Sequence, residues 1–284
     1  MDALRTDLLE FGYDLLVLTG DLTQRARRAQ YEQCMAFLSS LPDRRLIVPG
    51  NHDIAPLYCP WQRLFDPYRS YRRYVATDLD QTYWDDDVFV VGLNTVDPLR
   101  WKEGTISREQ LHWLELQASR RSRSKLSILA AHHPLAHLET TGLKHSIRRH
   151  ASLLELLDRL DFALVLTGHL HESYSGIAAS SFSPSNRLLV AQASTATSTR
   201  VRGHLNGYNR IVIDLPELSV DLRTWNGNTF VTERMSRFRR VATELTPAQS
   251  DTSLHRGRWL RASTPSQPLA AELAHAESSA ASER

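Results

Sequence analysis

Hydrophobic positions in the first half of the chain fall into short unbroken runs, separated by longer stretches of helical spacing. Residues 14–19 read Asp-Leu-Leu-Val-Leu-Thr, and 45–48, 88–93, 126–131 and 162–167 repeat the form. Apolar runs of this length, without polar alternation, suit strands buried on both faces. Between them apolar residues recur every three or four positions: Ala29, Cys34, Phe37 and Leu38 within 27–38, Leu111 and Leu114 within 107–119, and the leucines of 150–160. These stretches predict helices. Ser107 stands as an N-cap with Gln110 three residues on, the pairing in which each side chain bonds the other's backbone N–H. Beyond about residue 165 the spacing changes, and strands are expected at 173–178, 187–193, 208–214, 219–224 and 229–233. Strands interleaved with helices, followed by strands alone, predict an α/β layered domain with an added sheet.

The pattern dissolves after about residue 240. Residues 246–284 are rich in Ser, Ala, Pro, Arg and Glu and poor in large apolar side chains. The expected organisation is one domain over 1–240 and a disordered tail over 241–284. Composition narrows the function classes. Thirty-four Lys and Arg against 32 Asp and Glu leave a net charge of +2, which creates no field for nucleic acid or a membrane surface. No apolar run reaches transmembrane length, and the first residues lack the basic flank and apolar block of a signal peptide. Cys34 and Cys59 have no metal-type spacing and read as thiols of a reducing cytoplasm.

Chemistry concentrates in four clusters, each directly behind an apolar run: Gly20-Asp21, Gly50-Asn51-His52-Asp53, His132-His133-Pro134 and Gly168-His169-Leu170-His171. Loops at the carboxyl ends of strands gather at one edge of an α/β sheet, where ligands bind. Any one cluster alone reads as an ordinary polar turn. Four in this order, each at a strand end, deliver carboxylate, amide and imidazole donors to one place. That donor set suits Zn, Mn or Fe and is too rich in nitrogen for calcium or magnesium alone.

The order GD, GNHD, HHP, GHLH resembles the calcineurin-like metallophosphoesterase family over about residues 14–197. Residues 13–23 and 104–115 resemble, more softly, its cyclic-nucleotide phosphodiesterase branch. The resemblance implies a four-layer α/β sandwich, two mixed β-sheets flanked by helices, holding two divalent or trivalent transition metal ions (Mn, Fe or Zn). By motif position, Asp21 bridges both metals, while Asn51, His132 and His169 bind the second and His171 returns to the first. His132 is preferred to His133 because the family's ligand histidine stands two residues before proline. His52 is implied to donate a hydrogen bond to the phosphate and to act as general acid. The implied reaction is hydrolysis of a phosphodiester, such as a 3′,5′-cyclic nucleotide, by in-line attack of a metal-bridging hydroxide. The expected partner is a small phosphate ester, with no membrane and no nucleic acid, and a homodimer is compatible with the sequence.

One motif of the family is not found. Its members open with a strand ending in Asp-x-His, yet no Asp-x-His precedes Asp21 and no histidine precedes His52. The expectation is that this first strand lies upstream of Met1, with residues 3–11 as the helix that follows it. The alternatives are an inactive or mononuclear relic of the same fold and a site completed by another chain. Residues 56–73 collect Tyr58, Trp61, Arg63, Phe65, Tyr68, Arg69, Tyr71, Arg72 and Arg73. They suit stacking a base and holding a phosphate, and equally suit a lid or a partner surface. Residues 142–149 and 200–204 are further candidates for the cleft.

Overall fold

The computed structural model describes residues 1–100, 102–122, 125–135, 147–148, 150–178, 187–197, 205–242 and 257–262. The first half runs α1 (Asp2–Phe11), β1 (Leu16–Leu18), α2 (Arg28–Ser39), β2 (Arg45–Ile47), α3 (Pro60–Phe65), α4 (Arg69–Tyr74), β3 (Gln81–Trp84) and β4 (Val88–Leu93). Next come β5 (Gly104–Thr105), α5 (Arg108–Ser119), β6 (Leu126–Ala131), β7 (Ile147–Arg148), α6 (His150–Arg159) and β8 (Phe162–Thr167). The chain closes with β9 (Tyr174–Ile177), β10 (Leu189–Gln192), β11 (Gly207–Asp214), β12 (Glu217–Trp225), β13 (Phe230–Ala242) and β14 (Gly257–Arg261). No described helix is long and apolar enough to cross a membrane.

Every apolar run of the first half becomes a strand. β4, β6 and β8 pair in parallel at the centre of a six-stranded mixed sheet, ordered β3-β4-β6-β8-β10-β9. Their continuous apolar sequences match burial on two sides. Phe89, Val91, Leu93, Leu129 and Val165 pack under α5 and α6. Val90, Ile128, Ala130, Ala163, Leu164 and Leu166 face a second layer made of β1, β2 and the antiparallel sheet β11-β12-β13-β14. Beyond that layer, Leu4 and Leu8 of α1 pack with Leu38, Leu41, Ile47 and Phe230. Helix, sheet, sheet, helix is the four-layer α/β order that the family resemblance implies. Ser107 and Gln110 form their reciprocal cap, with Ser107 Oγ accepting from Gln110 N at 3.1 Å and Gln110 Oε1 accepting from Ser107 N at 3.0 Å.

Within the second layer the sheet is split. β1 pairs in parallel with β2 alone, Leu16 opposite Arg45, and β11 pairs only with β12 among the described residues. Both strands nonetheless feed the same core clusters: Leu15 and Val17 beside Ile211 and Ile213 on one face, Leu16 and Leu18 beside Tyr208 on the other. All three residues of β1 are only half-buried. α1 is tied across this region by a buried ion pair between Asp7 and Arg223, with Tyr208 Oη donating to Asp7 Oδ2 at 2.5 Å.

The expected tail is corrected in part. Five of its residues form β14, which pairs antiparallel with the end of β13, Trp259 opposite Arg240. Trp259 is wholly buried and its Nε1–H donates to Ala163 O at 2.9 Å. Its indole closes the inter-sheet core beside Leu218, Val220 and Phe238. Residues 243–256 and 263–284 lie outside the described residues, as do 142–146, 149 and 200–204 among the cleft candidates.

Candidate metal centre

β1, β2, β6 and β8 end side by side, and the four polar clusters follow those ends. Close approach of the loops is what their glycines permit. A Cβ on Gly20 would lie 2.7 Å from both Gly50 N and His132 Nδ1, and Gly20 itself has φ +90°. Only glycine tolerates both the contact and the left-handed backbone at no cost. Asp21 (φ 58°), His169 (φ 70°) and His171 (φ 59°) adopt the same region with full side chains. Non-glycine residues held there are strained, and such strain gathers at functional sites.

The side chains so delivered converge on His132, which is buried. Its Nδ1 lies 2.7 Å from Thr19 O. A carbonyl only accepts, so in the neutral ring the proton sits on Nδ1 and Nε2 carries a lone pair. Around that Nε2 stand Asn51 Oδ1 at 3.1 Å, His169 Nδ1 at 3.1 Å and Asp21 Oδ1 at 3.5 Å. Asp21 Oδ1, Asn51 Oδ1 and His132 Nε2 present electron pairs to one point, and His169 Nδ1 joins them when its proton sits on Nε2, an arrangement that a cation would relieve. The set fits a transition-metal ion, with the Thr19 carbonyl acting as the outer partner that fixes the ligand's tautomer.

Asp21, Asn51, His132 and His169 are thus brought together. His171 is held differently, with Nδ1 2.5 Å from Thr195 Oγ1. His52 donates its backbone N–H to Asp21 Oδ1 at 3.0 Å, while its ring Nδ1 lies 2.8 Å from Gln24 O. That bond leaves Nε2 as the nitrogen for chemistry. His133, passed over at the motif, joins the cluster as well. Its ring centroid is 4.9 Å from that of His132 and 4.6 Å from that of His169, and ligand atoms of the three lie within 4.8 Å of one another. Thr95 Oγ1 sits 2.9 Å from His133 Nδ1, a partner no motif announces.

Asp53 is the working residue that sequence reasoning left without a role. It is fully buried, and its carboxylate accepts from Thr23 N at 2.8 Å, Gly50 N at 2.9 Å and Leu22 N at 3.1 Å. It therefore locks the Gly20-Asp21 loop onto the Gly50-Asn51 loop. Burial first, then the nearby charge of Asp21, push its carboxyl up to about 7, against the opposing effect of the three amides. In residues 56–73, several groups expected at a substrate are already engaged. Tyr68 Oη donates to Val96 O at 2.6 Å, Tyr71 Oη donates to Ile47 O at 2.8 Å, and Arg63 is buried among backbone carbonyls.

A family model for calcineurin-like phosphoesterases matches residues 2–173, more than half of the chain. The chain belongs to the calcineurin-like phosphoesterase family. All four clusters lie inside the matched span. Among curated relatives, the chain is 29% identical over 175 residues to the 3′,5′-cyclic adenosine monophosphate phosphodiesterase CpdA of Escherichia coli K12, covering 61% of this chain and 58% of that one. It is 28% identical over 165 residues to a probable glycerophosphodiester phosphodiesterase GpdQ of Arcobacter nitrofigilis, covering 56% of each. The matched span is thus a little over half the length of these relatives. A dimetal phosphatase from Danio rerio shares the fold, with a TM-score of 0.57 at 15% identity over 82% of this chain and 89% of that one. In a calcineurin-like phosphoesterase, the convergence at His132 falls where the fold gathers its strand ends.

Proposed function

We propose that the chain hydrolyses a phosphodiester, with 3′,5′-cyclic nucleotides as the substrate class, at a binuclear transition-metal centre. The observation that carries this reading is the convergence of Asp21, Asn51 and His169 on His132 Nε2. The cyclic AMP and glycerophosphodiester phosphodiesterases among its relatives support the choice of ester. Asn51, His132 and His169 would hold one ion, His171 would serve the other, and Asp21 would contribute its carboxylate to both. Bound there, such ions polarise a phosphoryl oxygen and lower the pKa of a water from about 15.7 towards 7. The remaining work is the chain's own. Thr19 O keeps His132 in the ligating tautomer, and Asp53 keeps the two acidic loops in register. His52, its Nδ1–H donated to Gln24 O, presents Nε2 to the departing oxygen, which it protonates from the imidazolium form, the form that carries a proton on both nitrogens.

A second reading is a mononuclear or inactive metal-binding member of the fold: His171 engages Thr195 Oγ1 rather than the donors that meet at His132, and the first ion has two assigned ligands, Asp21 and His171, where a stable catalytic site has about three. One experiment separates the two. The protein is loaded with Mn²⁺, its bound metal is counted by elemental analysis, and turnover is measured on bis(p-nitrophenyl) phosphate and 3′,5′-cyclic AMP. Two ions per chain and turnover that falls more than about 100-fold in Asn51→Ala and His132→Ala support the first reading. One ion without turnover supports the second, and no bound ion sinks both. His52→Ala should slow the cyclic AMP reaction by about 10²–10⁴-fold and spare the p-nitrophenyl ester, whose leaving group departs without a proton.

A further inference from the structure

Two histidines stand side by side behind β6, and their neighbours set them differently. Thr95 is wholly buried, and among the described residues its hydroxyl oxygen meets two groups, both of His133. They are the backbone N–H at 3.3 Å and ring Nδ1 at 2.9 Å. A hydroxyl has one proton to give and two lone pairs. The amide can only donate, so it takes a lone pair. Nδ1 is then the partner that can accept the hydroxyl proton, which is costly to bury without an acceptor. With Nδ1 accepting, the neutral His133 ring carries its own proton on Nε2. His132 is the reverse case: Nδ1 faces the Thr19 carbonyl, and the lone pair is on Nε2. The His133 ring is also fixed in place. A Cβ on Gly104 would lie 2.8–2.9 Å from His133 Cβ, Cγ and Nδ1, so this edge of the ring rests against the backbone of β5. Nε2 lies on the opposite edge. One ring nitrogen from each of His132, His133 and His169 lies within 4.8 Å of the others. With Nδ1 engaged by Thr95, Nε2 is the nitrogen that His133 offers the cluster.

We propose that His133 is a hydrogen-bond donor of this centre and not one of its metal ligands. Its Nε2–H donates to a non-bridging oxygen of the substrate's phosphoryl group, and Thr95 is the residue that positions it. The proposal rests on the phosphodiesterase reading above and adds a neutral donor beside the imidazoles that would ligate. A ligating nitrogen needs a lone pair, and the Thr95 hydroxyl directs the lone pair of His133 to Nδ1. His132 and His133 thus divide two tasks by tautomer alone, one accepting a cation and the other giving a proton to an anion's hydrogen bond. Burial is no obstacle, because His132 and Asn51 are buried as well. A fixed N–H in such a site, aimed where negative charge develops, contributes about 10²–10³ in rate.

Long-range proton–nitrogen NMR of the full chain, labelled with nitrogen-15 at histidine, reads each ring's proton directly at about pH 8, where imidazoles are neutral. His133 should carry its proton on Nε2 without metal and keep it there after Zn²⁺ is added, while His132 Nε2 shifts as a coordinated nitrogen. Inorganic phosphate added next should move the His133 Hε2 signal. Thr95→Val should release the tautomer and weaken phosphate binding about tenfold, and Thr95→Ser, which keeps the hydroxyl, should restore both. His133→Leu should slow turnover of bis(p-nitrophenyl) phosphate by about 10²–10³-fold at unchanged metal content, with part of the loss recovered in His133→Gln, which keeps an N–H donor. Should these variants misfold, the wild-type spectra still decide. A His133 proton on Nδ1 overturns the proposal, as does coordination of Zn²⁺ by its Nε2 or a signal that phosphate leaves unmoved. Metal content of the wild type is counted separately. If no ion binds, the metal-centre reading fails, and the phosphate response of the metal-free chain then upholds or overturns the donor by itself.

Discussion

Asp53 shows how one side chain holds a site together without entering its chemistry. Three amides from two loops end on its carboxylate, within reach of the Asp21 charge. A carboxyl raised to about 7 in the fold, against an unfolded value near 3.9, binds its proton more tightly folded than unfolded. Its contribution to stability is therefore complete below about pH 4 and is lost as pH rises through about 7. In metal-free protein, the melting temperature should fall across that window, and Asp53→Asn should flatten the fall. An unchanged slope would assign it to other groups. Because the asparagine NH₂ would face amide donors, the same variant should cost about 1–3 kcal/mol at acid pH. The order of the four clusters and the family resemblance it carries made Asp21, Asn51, His132 and His169 legible as a set. It could not reveal the Asp53 latch or the Thr95 partner of His133, because those bonds join residues about 30 and 38 positions apart. Periodicity carries no information on such pairings.

At the scale of elements, legibility followed burial. β4, β6 and β8 are covered on both faces, and their unbroken apolar sequences announced them. β3 was missed because Gln81-Thr82-Tyr83-Trp84 forms a half-exposed edge, where no strong pattern is imposed. β14 was missed for a related reason. Arg258, Leu260 and Arg261 are exposed, so only Trp259 speaks for the core, and it does so inside a stretch whose composition reads as tail. That single indole should be expensive to remove. Trp259→Ala leaves a cavity against Phe238 and Ala163 O, and should cost about 3–5 kcal/mol in urea denaturation. A cost below about 1 kcal/mol, the range of ordinary surface changes, would mean that β14 does not close the core in solution.

At the scale of the molecule, the six-stranded sheet is continuous and the layer facing it is not. β1 and β11 each present one unpaired side among the described residues, and the three residues of β1 include no charge, proline or bulge to blunt it. Unblunted edges are templates for further strand pairing. A lysine placed at Val212, already 38% exposed on β11, should raise soluble yield and delay thioflavin-positive aggregation at unchanged metal content. Aggregation unaffected by Val212→Lys would move the liability to β1. The two edges also differ in age. About 190 residues separate β1 from β11, which at about 5–20 residues per second is roughly 10–40 s of synthesis. For that interval the older edge waits on the ribosome, where chaperones compete for it before its own layer is complete.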